Sequence, residues 1–221
     1  MQDKTINKNI KPLKIVFCIP GNNYSGRFFD CWTSTISHCL SNGIQPLQSI
    51  QESQNIYTVR NLCLYGALNK NQNQKPFDGR LDYDYLMWID SDTIFKPSQI
   101  IDLIKHKRDI VSGLCIFDGK HFAVVKKSDE IYFKKKHIFK HMTKDDIKNQ
   151  NTLIEASFVG FGFILIKKGV FESMDYPWFR PLNIKIGKVN QYSTEDYGFC
   201  VNARKLGYKI YADPKVIVGH E

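Results

Sequence analysis

Between Leu13 and Ile116 the chain alternates short apolar runs with stretches of helical periodicity, and this alternation constrains the fold more than any other feature. Leu13 to Ile19 is a continuous β-rich run ending in Pro20-Gly21-Asn22-Asn23, the pattern of a buried parallel strand entering a loop. A helix is predicted from Arg27 to Leu40 and is closed by Asn42-Gly43. Ile44 to Ile50 reads as a second strand, and Tyr57 to Leu68 as a helix with Val59, Leu62, Cys63 and Ala67 along one side. The polar stretch Asn69 to Pro76 is a surface loop. Tyr85 to Ile89 is a third strand that ends directly on Asp90-Ser91-Asp92. Pro97 suits the first turn of a helix whose apolar face is Ile100, Ile101, Leu103 and Ile104, and Asp109 to Ile116 is a further strand. Such a series predicts an α/β fold, an αβα sandwich around a mostly parallel sheet, with ligands at the carboxyl ends of the strands.

The second half is less regular. From Lys120 to Lys148, short β-like pieces are broken by Lys126-Lys127, Lys134-Lys135-Lys136, Lys140, Lys144 and Lys148, which reads as a basic, mobile excursion. Apolar structure resumes from Leu153 to Ile166, followed by a loop with Tyr176-Pro177-Trp178-Phe179. Ser193-Thr194-Glu195-Asp196 opens a helix that Gly207 closes, and Tyr208 to Tyr211 and Val216 to Val218 are short final strands. With 221 residues, 43% of them hydrophobic, one compact domain over residues 13–221 is expected, preceded by a flexible polar arm, residues 1–12.

The net charge of +9, from 31 Lys and Arg against 22 Asp and Glu, favours an anionic partner: a nucleotide, a nucleic acid or an acidic membrane surface. The 6 cysteines lack the close pairing of a zinc knuckle or redox motif and read as reduced thiols of a cytoplasmic protein. The longest apolar run, Ala156 to Ile166, carries two glycines and falls short of the roughly 20 residues needed to span a bilayer. No transmembrane segment is expected, while peripheral membrane contact stays open.

Two carboxylates at i and i+2 after an apolar strand converge on one cation only if the chain leaves the extended form, which a turn at Ser91 would supply. A hard divalent ion held by oxygens neutralises a departing diphosphate. The plain alternative is that Asp90 caps the next turn and Asp92 faces water. The acids of Ser193-Thr194-Glu195-Asp196 are likewise explained by capping and the helix dipole alone.

The order of these pieces resembles the glycosyltransferases of the GT-A fold over most of the chain. The pieces are Asp90-Ser91-Asp92 after a strand, Val159-Gly160-Phe161-Gly162-Phe163, Pro177-Trp178-Phe179, Ser193-Thr194-Glu195-Asp196, Ala212-Asp213-Pro214 and Gly219-His220. The resemblance implies a metal-dependent transfer of sugar from a nucleoside-diphosphate sugar, UDP-sugar above all, to an acceptor hydroxyl on a glycan. It implies Asp92, His220 and Asp90 as metal ligands, with Mn²⁺ favoured over Mg²⁺ because of the imidazole. Pro20, Gly21, Asn22, Arg60, Asp90, Ser91, Asp92 and Gly162 would contact the donor. In an inverting member Asp196 would be the general base with Glu195 beside it; in a retaining member both acids would hold a sugar. Trp178 would stack on the acceptor. The stop after His220 leaves acceptor recognition to the Lys-rich segment, a partner or a further domain.

Two other readings compete. Asp90-Ser91-Asp92-Thr93 also resembles the nucleophile motif of haloacid-dehalogenase-like phosphatases, with Asp90 attacking phosphate; that family places the motif on its first strand, and the late acids and His220 are then unexplained. A non-enzymatic nucleic-acid-binding module is suggested by the lysines from Lys126 to Lys148, which lack a nucleic-acid fold and regular aromatic interleaving. No nucleic-acid partner is therefore expected.

Overall fold

The computed structural model describes residues 11–126, 135, 139–186 and 188–221. In chain order its elements begin with β1 (Leu13–Pro20), α1 (Gly26–Ser41), β2 (Ile44–Gln51), α2 (Ile56–Cys63), β3 (Tyr85–Ile89), β4 (Thr93–Ile94), α3 (Pro97–Lys105) and β5 (Ile110–Cys115). There follow β6 (Val124–Val125), α4 (Lys144–Ile147), β7 (Ile154–Ala156), β8 (Phe158–Val159), β9 (Phe163–Lys167), β10 (Asn183–Ile186), β11 (Val189–Tyr192), α5 (Glu195–Lys205) and β12 (Ile210–His220).

The main sheet has the order β2-β1-β3-β9-β5-β12-β4, with β7 added on β12. β1 lies parallel to both β2 and β3, and β5 lies parallel to β12. β9 runs antiparallel between β3 and β5, so these two still point the same way. Burial follows the two-residue period of a strand. On one face Val16, Cys18, Leu86, Trp88, Ile164 and Ile166 join Cys63 of α2 and Phe199, Cys200 and Ala203 of α5. On the other, Ile15, Phe17, Ile19, Met87, Ile89 and Leu165 join Phe28 and Cys39 of α1 and Ile100 and Leu103 of α3. This is an αβα sandwich, and β3 is its centre: Leu86, Met87, Trp88 and Ile89 are 0% exposed. Each such side chain contributes about 1.5–3 kcal/mol of burial free energy.

The structure departs from the sequence reading in three places. α2 stops at Cys63 rather than Leu68, because Tyr65 takes a left-handed φ of 64°. Gly66 then packs so closely that a Cβ there would stand 2.7 Å from the Tyr176 ring. The run Leu153 to Ile166 is three strands, since Ser157 turns to bond Val125 and Gly160 donates to the Ala123 carbonyl. The two closing strands are one, β12, whose pairing with β5 shifts register between Ala212 and Ile217. Pro214 has no N–H to give the ladder there, and Asp213 accepts from the Lys215 N–H at 2.8 Å instead. Much of the expected basic excursion, including Lys127, Lys134 and Lys136, lies outside the described residues; of the rest, Lys126, Lys140, Lys144 and Lys148 are exposed. Residues 1–10 of the expected arm also lie outside, and Lys11 pairs with Asp82 at 2.7 Å. No helix among the described residues is long and apolar enough to cross a membrane.

Candidate active site

The parallel strands β1 and β3 end side by side, and their loops touch. Gly21 has φ +143°, and a Cβ on it would lie 2.6 Å from Ser91 Oγ. Only glycine admits that backbone without strain and at that distance. Pro20 before it is buried and Asn22 after it is exposed. Past β3 the chain turns: the Thr93 N–H donates to the Asp90 carbonyl at 3.0 Å. The turn is pinned to the Gly162 carbonyl by the Asp90 N–H (3.2 Å) and by Thr93 Oγ1 (3.0 Å). Gly162 approaches closely, since a Cβ there would sit 3.0 Å from Cys115 Sγ and 3.6 Å from Asp90 Oδ2.

His220 arrives through strand pairing. β12 and β4 run antiparallel with His220 opposite Thr93, and the Glu221 N–H donates to the Asp92 carbonyl at 2.9 Å. That register places His220 Nε2 3.1 Å from Asp92 Oδ2. Asp90 is turned elsewhere, with Oδ1 at 2.9 Å and Oδ2 at 3.1 Å from Arg60 Nη2. The shorter contact is an ion pair without hydrogen-bond alignment, so Oδ1 is a buried acceptor with no hydrogen-bond partner.

Arg60 is 3% exposed. Asn55 caps its helix by accepting from the N–H groups of Tyr57 and Thr58. Besides Asp90, the guanidinium donates from Nε to Glu195 Oε1 at 3.0 Å. It packs 5.3 Å from the Phe161 ring centre and 5.9 Å from that of Trp88. One buried cation therefore spans the carboxylate that ends β3 and the carboxylate that opens α5. The N-cap of α5 is Thr194, whose side chain makes no capping bond; Ser193 Oγ accepts from the Leu182 N–H at 2.8 Å. The acids Glu195 and Asp196 occupy the first turn, where the helix dipole favours negative charge. Burial, and then the charge of Glu195, push the Asp196 carboxyl up to about 6.

The expected residues thus divide. Asp90, Ser91, Asp92, Gly21, Gly162, Arg60, Glu195 and His220 are linked by the contacts above at one end of the sheet. Trp178 is a correction: it is 1% exposed and packs at 5.3 Å from the Tyr176 ring, so neither face is open to an acceptor sugar. The Pro177 corner folds it under the surface. Among the described residues, no group of three or more His, Cys, Asp or Glu is gathered as a metal site; Asp92 and His220 form a pair. Two further residues went unread in the sequence. Thr93 anchors the turn, and the Cys115 thiol beside Gly162 is pushed up by burial and by the charges of Asp90 and Asp92. The position of Cys115 at the carboxyl end of a strand was the available signal.

No family model matches the chain, and no curated protein matches it. Among solved structures it is similar to A197 from STIV, with a TM-score of 0.55 and 18% identity over 95% of this chain and 85% of that one. It is also similar to GalNAc-T7 with UDP, GalNAc and Mn²⁺ (TM-score 0.56, 12% identity, 94% of this chain and 43% of that one). A third is the catalytic domain of Drosophila β1,4-galactosyltransferase 7 with xylobiose (TM-score 0.50, 13% identity, 92% and 65%). The chain therefore spans less than two thirds of the length of the latter two. The shared architecture is the GT-A fold.

Proposed function

From the GT-A fold as premise, we propose that the protein is a glycosyltransferase that moves a sugar from a nucleoside-diphosphate sugar, UDP-sugar first, to an acceptor hydroxyl on a glycan with a divalent cation. The observation that carries this reading is the linkage of Asp90, Glu195 and the Asp92–His220 pair at the carboxyl ends of the strands. The donor set suits the ion: a carboxylate and an imidazole 3.1 Å apart, with the unbonded Oδ1 of Asp90 in the same turn, offer mixed O and N ligands that favour Mn²⁺ over Mg²⁺. When bound, such an ion supplies charge neutralisation for a departing diphosphate. The presence of UDP and Mn²⁺ in the GalNAc-T7 structure supports the same choice of donor and metal.

Pro20, Gly21, Asn22, Ser91 and Gly162 would contact the donor. Arg60 is assigned to positioning rather than to the diphosphate, because its charge is already shared by Asp90 and Glu195. Asp196 is the base of an inverting reaction: titrating near 6, it is ionised at neutral pH and still basic enough to take the proton of the attacking hydroxyl. The phosphatase alternative needs Asp90 free to attack phosphate, whereas Arg60 holds that carboxylate.

The test is a panel of nucleotide-sugars assayed for Mn²⁺-dependent hydrolysis and thermal stabilisation, with the product anomer read by NMR. Stabilisation and turnover with one donor, and inversion at its anomeric carbon, are expected. A covalent phospho-aspartate at Asp90 with turnover of simple phosphate esters would overturn the reading.

A further inference from the structure

A cavity of about 710 Å³ opens between α2 and residues 176–181, on a side of the helix that Arg60 does not face. Tyr57, Leu62, Ala67, Leu68, Tyr176 and Pro177 supply most of its wall. Thr58, Asn61 and Asn69 also line it, but the Asn61 amide is largely engaged: Nδ2 donates to the carbonyls of Tyr57 (2.7 Å) and Phe179 (2.8 Å), and Oδ1 accepts from the Phe179 N–H (3.2 Å). The mainly apolar wall offers a sugar few partners for its hydroxyls, whereas a hydrocarbon chain asks for none.

A second chamber of about 640 Å³ adjoins the first and shares Leu68, Tyr176, Pro177 and Arg180 with it. Its remaining wall is polar, with Lys70, Asn71, Gln72, Asn73 and Asp175. Leu68, on the partition, is 95% exposed, an apolar side chain with nothing covering it. Lys70 is held by Asp78 at 2.7 Å, while Arg180 carries no ion pair among the described residues. The backbone of Arg180 is clamped on both sides. Asn61 of α2 grips its neighbour Phe179, and Gly198 of α5 lies so close that a Cβ there would stand 2.1 Å from the Arg180 carbonyl oxygen. Arg180 is thus a cation on a fixed mount at the boundary between an apolar and a polar chamber.

We propose that the two chambers form a binding site for a single-chain amphiphile with an anionic head, a phosphate or a carboxylate. Its chain lies in the α2 chamber and its head meets Arg180 and the amides of the polar chamber. Arg60 and Asn61 are consecutive on α2, so this site and the acid pair of α5 share one helix. That the amphiphile is the sugar acceptor rests on the glycosyltransferase reading; its binding does not.

The test is calorimetric titration of the full chain, without nucleotide, using dodecyl phosphate, dodecanoate, dodecyl maltoside and inorganic phosphate, the amphiphiles below their micelle thresholds. One saturable site for dodecyl phosphate or dodecanoate is expected, and the tighter of the two identifies the head. Dodecyl maltoside and inorganic phosphate should each bind about tenfold more weakly or worse, having only chain or only charge. Arg180→Gln should weaken the anionic amphiphile about tenfold and leave dodecyl maltoside unchanged. Leu68→Asp, at an exposed position that folding does not need, should weaken every dodecyl ligand. Absence of saturable binding by both anionic amphiphiles, or affinities unmoved by both substitutions in proteins of unchanged melting temperature, overturns the proposal. A chain that binds dodecyl phosphate but turns over no nucleotide-sugar would overturn the transferase reading and leave this one standing.

Discussion

The molecule carries two pairs of neighbouring acids at the same end of its sheet, and Arg60 treats them alike. In the turn after β3 it holds Asp90 and leaves Asp92 to meet His220; at the start of α5 it holds Glu195 and leaves Asp196 without the cation. Within each pair, then, one carboxylate is paired with Arg60 and the other is not. The pairs differ in what surrounds the other member. Asp92 has 48% of its side chain exposed and faces an imidazole, as suits a metal ligand, whereas Asp196 is partly buried beside a like charge and holds its proton to about 6, as suits a base. Two short acidic motifs that look equivalent on paper are separated by which neighbour the buried cation claims.

Removing the cation should break both halves at once. Arg60→Met leaves Glu195, with 9% of its side chain exposed, and Asp90, with 29% exposed, as buried or half-buried charges without a partner. Stability should fall by about 3–5 kcal/mol, read as the shift of a urea unfolding curve. Arg60→Lys should fall less but still measurably, because an ammonium cannot reproduce the fork that reaches two carboxylates in different directions. Adding Glu195→Gln to Arg60→Met should recover part of the loss, since it removes the charge left stranded.

The comparison is sharpened by pH. The Asp196 carboxyl titrates at about 6 in the folded chain, against an ordinary 3.8 in the unfolded one. Below both values the two states carry the same proton. As pH rises past 3.8 the unfolded chain loses it first, so stability declines until the folded carboxyl has ionised near 6 and is level thereafter. The decline should be roughly 2–3 kcal/mol and should vanish from the profile of Asp196→Asn. Glu195→Gln should lower the Asp196 titration, followed by carbon NMR of the carboxyl, because it removes the like charge. In the transferase, activity should rise with pH through the same region.

The strands β1 and β3 were legible because each is an apolar run closed by Pro, Gly or polar residues, a local pattern. Convergence of the Asp90 turn and His220 followed from motif order and holds in the sheet through the β4–β12 register. The partner of Arg60 was not legible: Glu195 is 135 positions away, and nothing local to either residue names the other. Trp178 was misread for a related reason, since an aromatic beside a proline looks the same in sequence whether its ring faces solvent or core, and burial is decided by Phe171 and Tyr176 packing around it. The end of α2 was missed because Tyr65 tolerates a left-handed backbone that side-chain periodicity does not report.

The smallest expected effect tests whether the two acid pairs are separate in function as well as in surroundings. If Asp92 and His220 supply the metal ligands and the α5 acids do not, His220→Ala should weaken Mn²⁺ binding about tenfold, the loss of one ligand from a mixed set, equivalent to about 1.4 kcal/mol. Asp92→Asn should do at least as much, since it also removes the charge. Glu195→Gln and Asp196→Asn should leave the affinity within about twofold, because Glu195 reaches the β3 turn only through Arg60, whose own charge stays in place. Free Mn²⁺ counted by electron paramagnetic resonance separates these outcomes directly. An α5 substitution that weakened Mn²⁺ as much as His220→Ala would mean that Arg60 couples the pairs into one site, and the division of labour between Asp92 and Asp196 would fail.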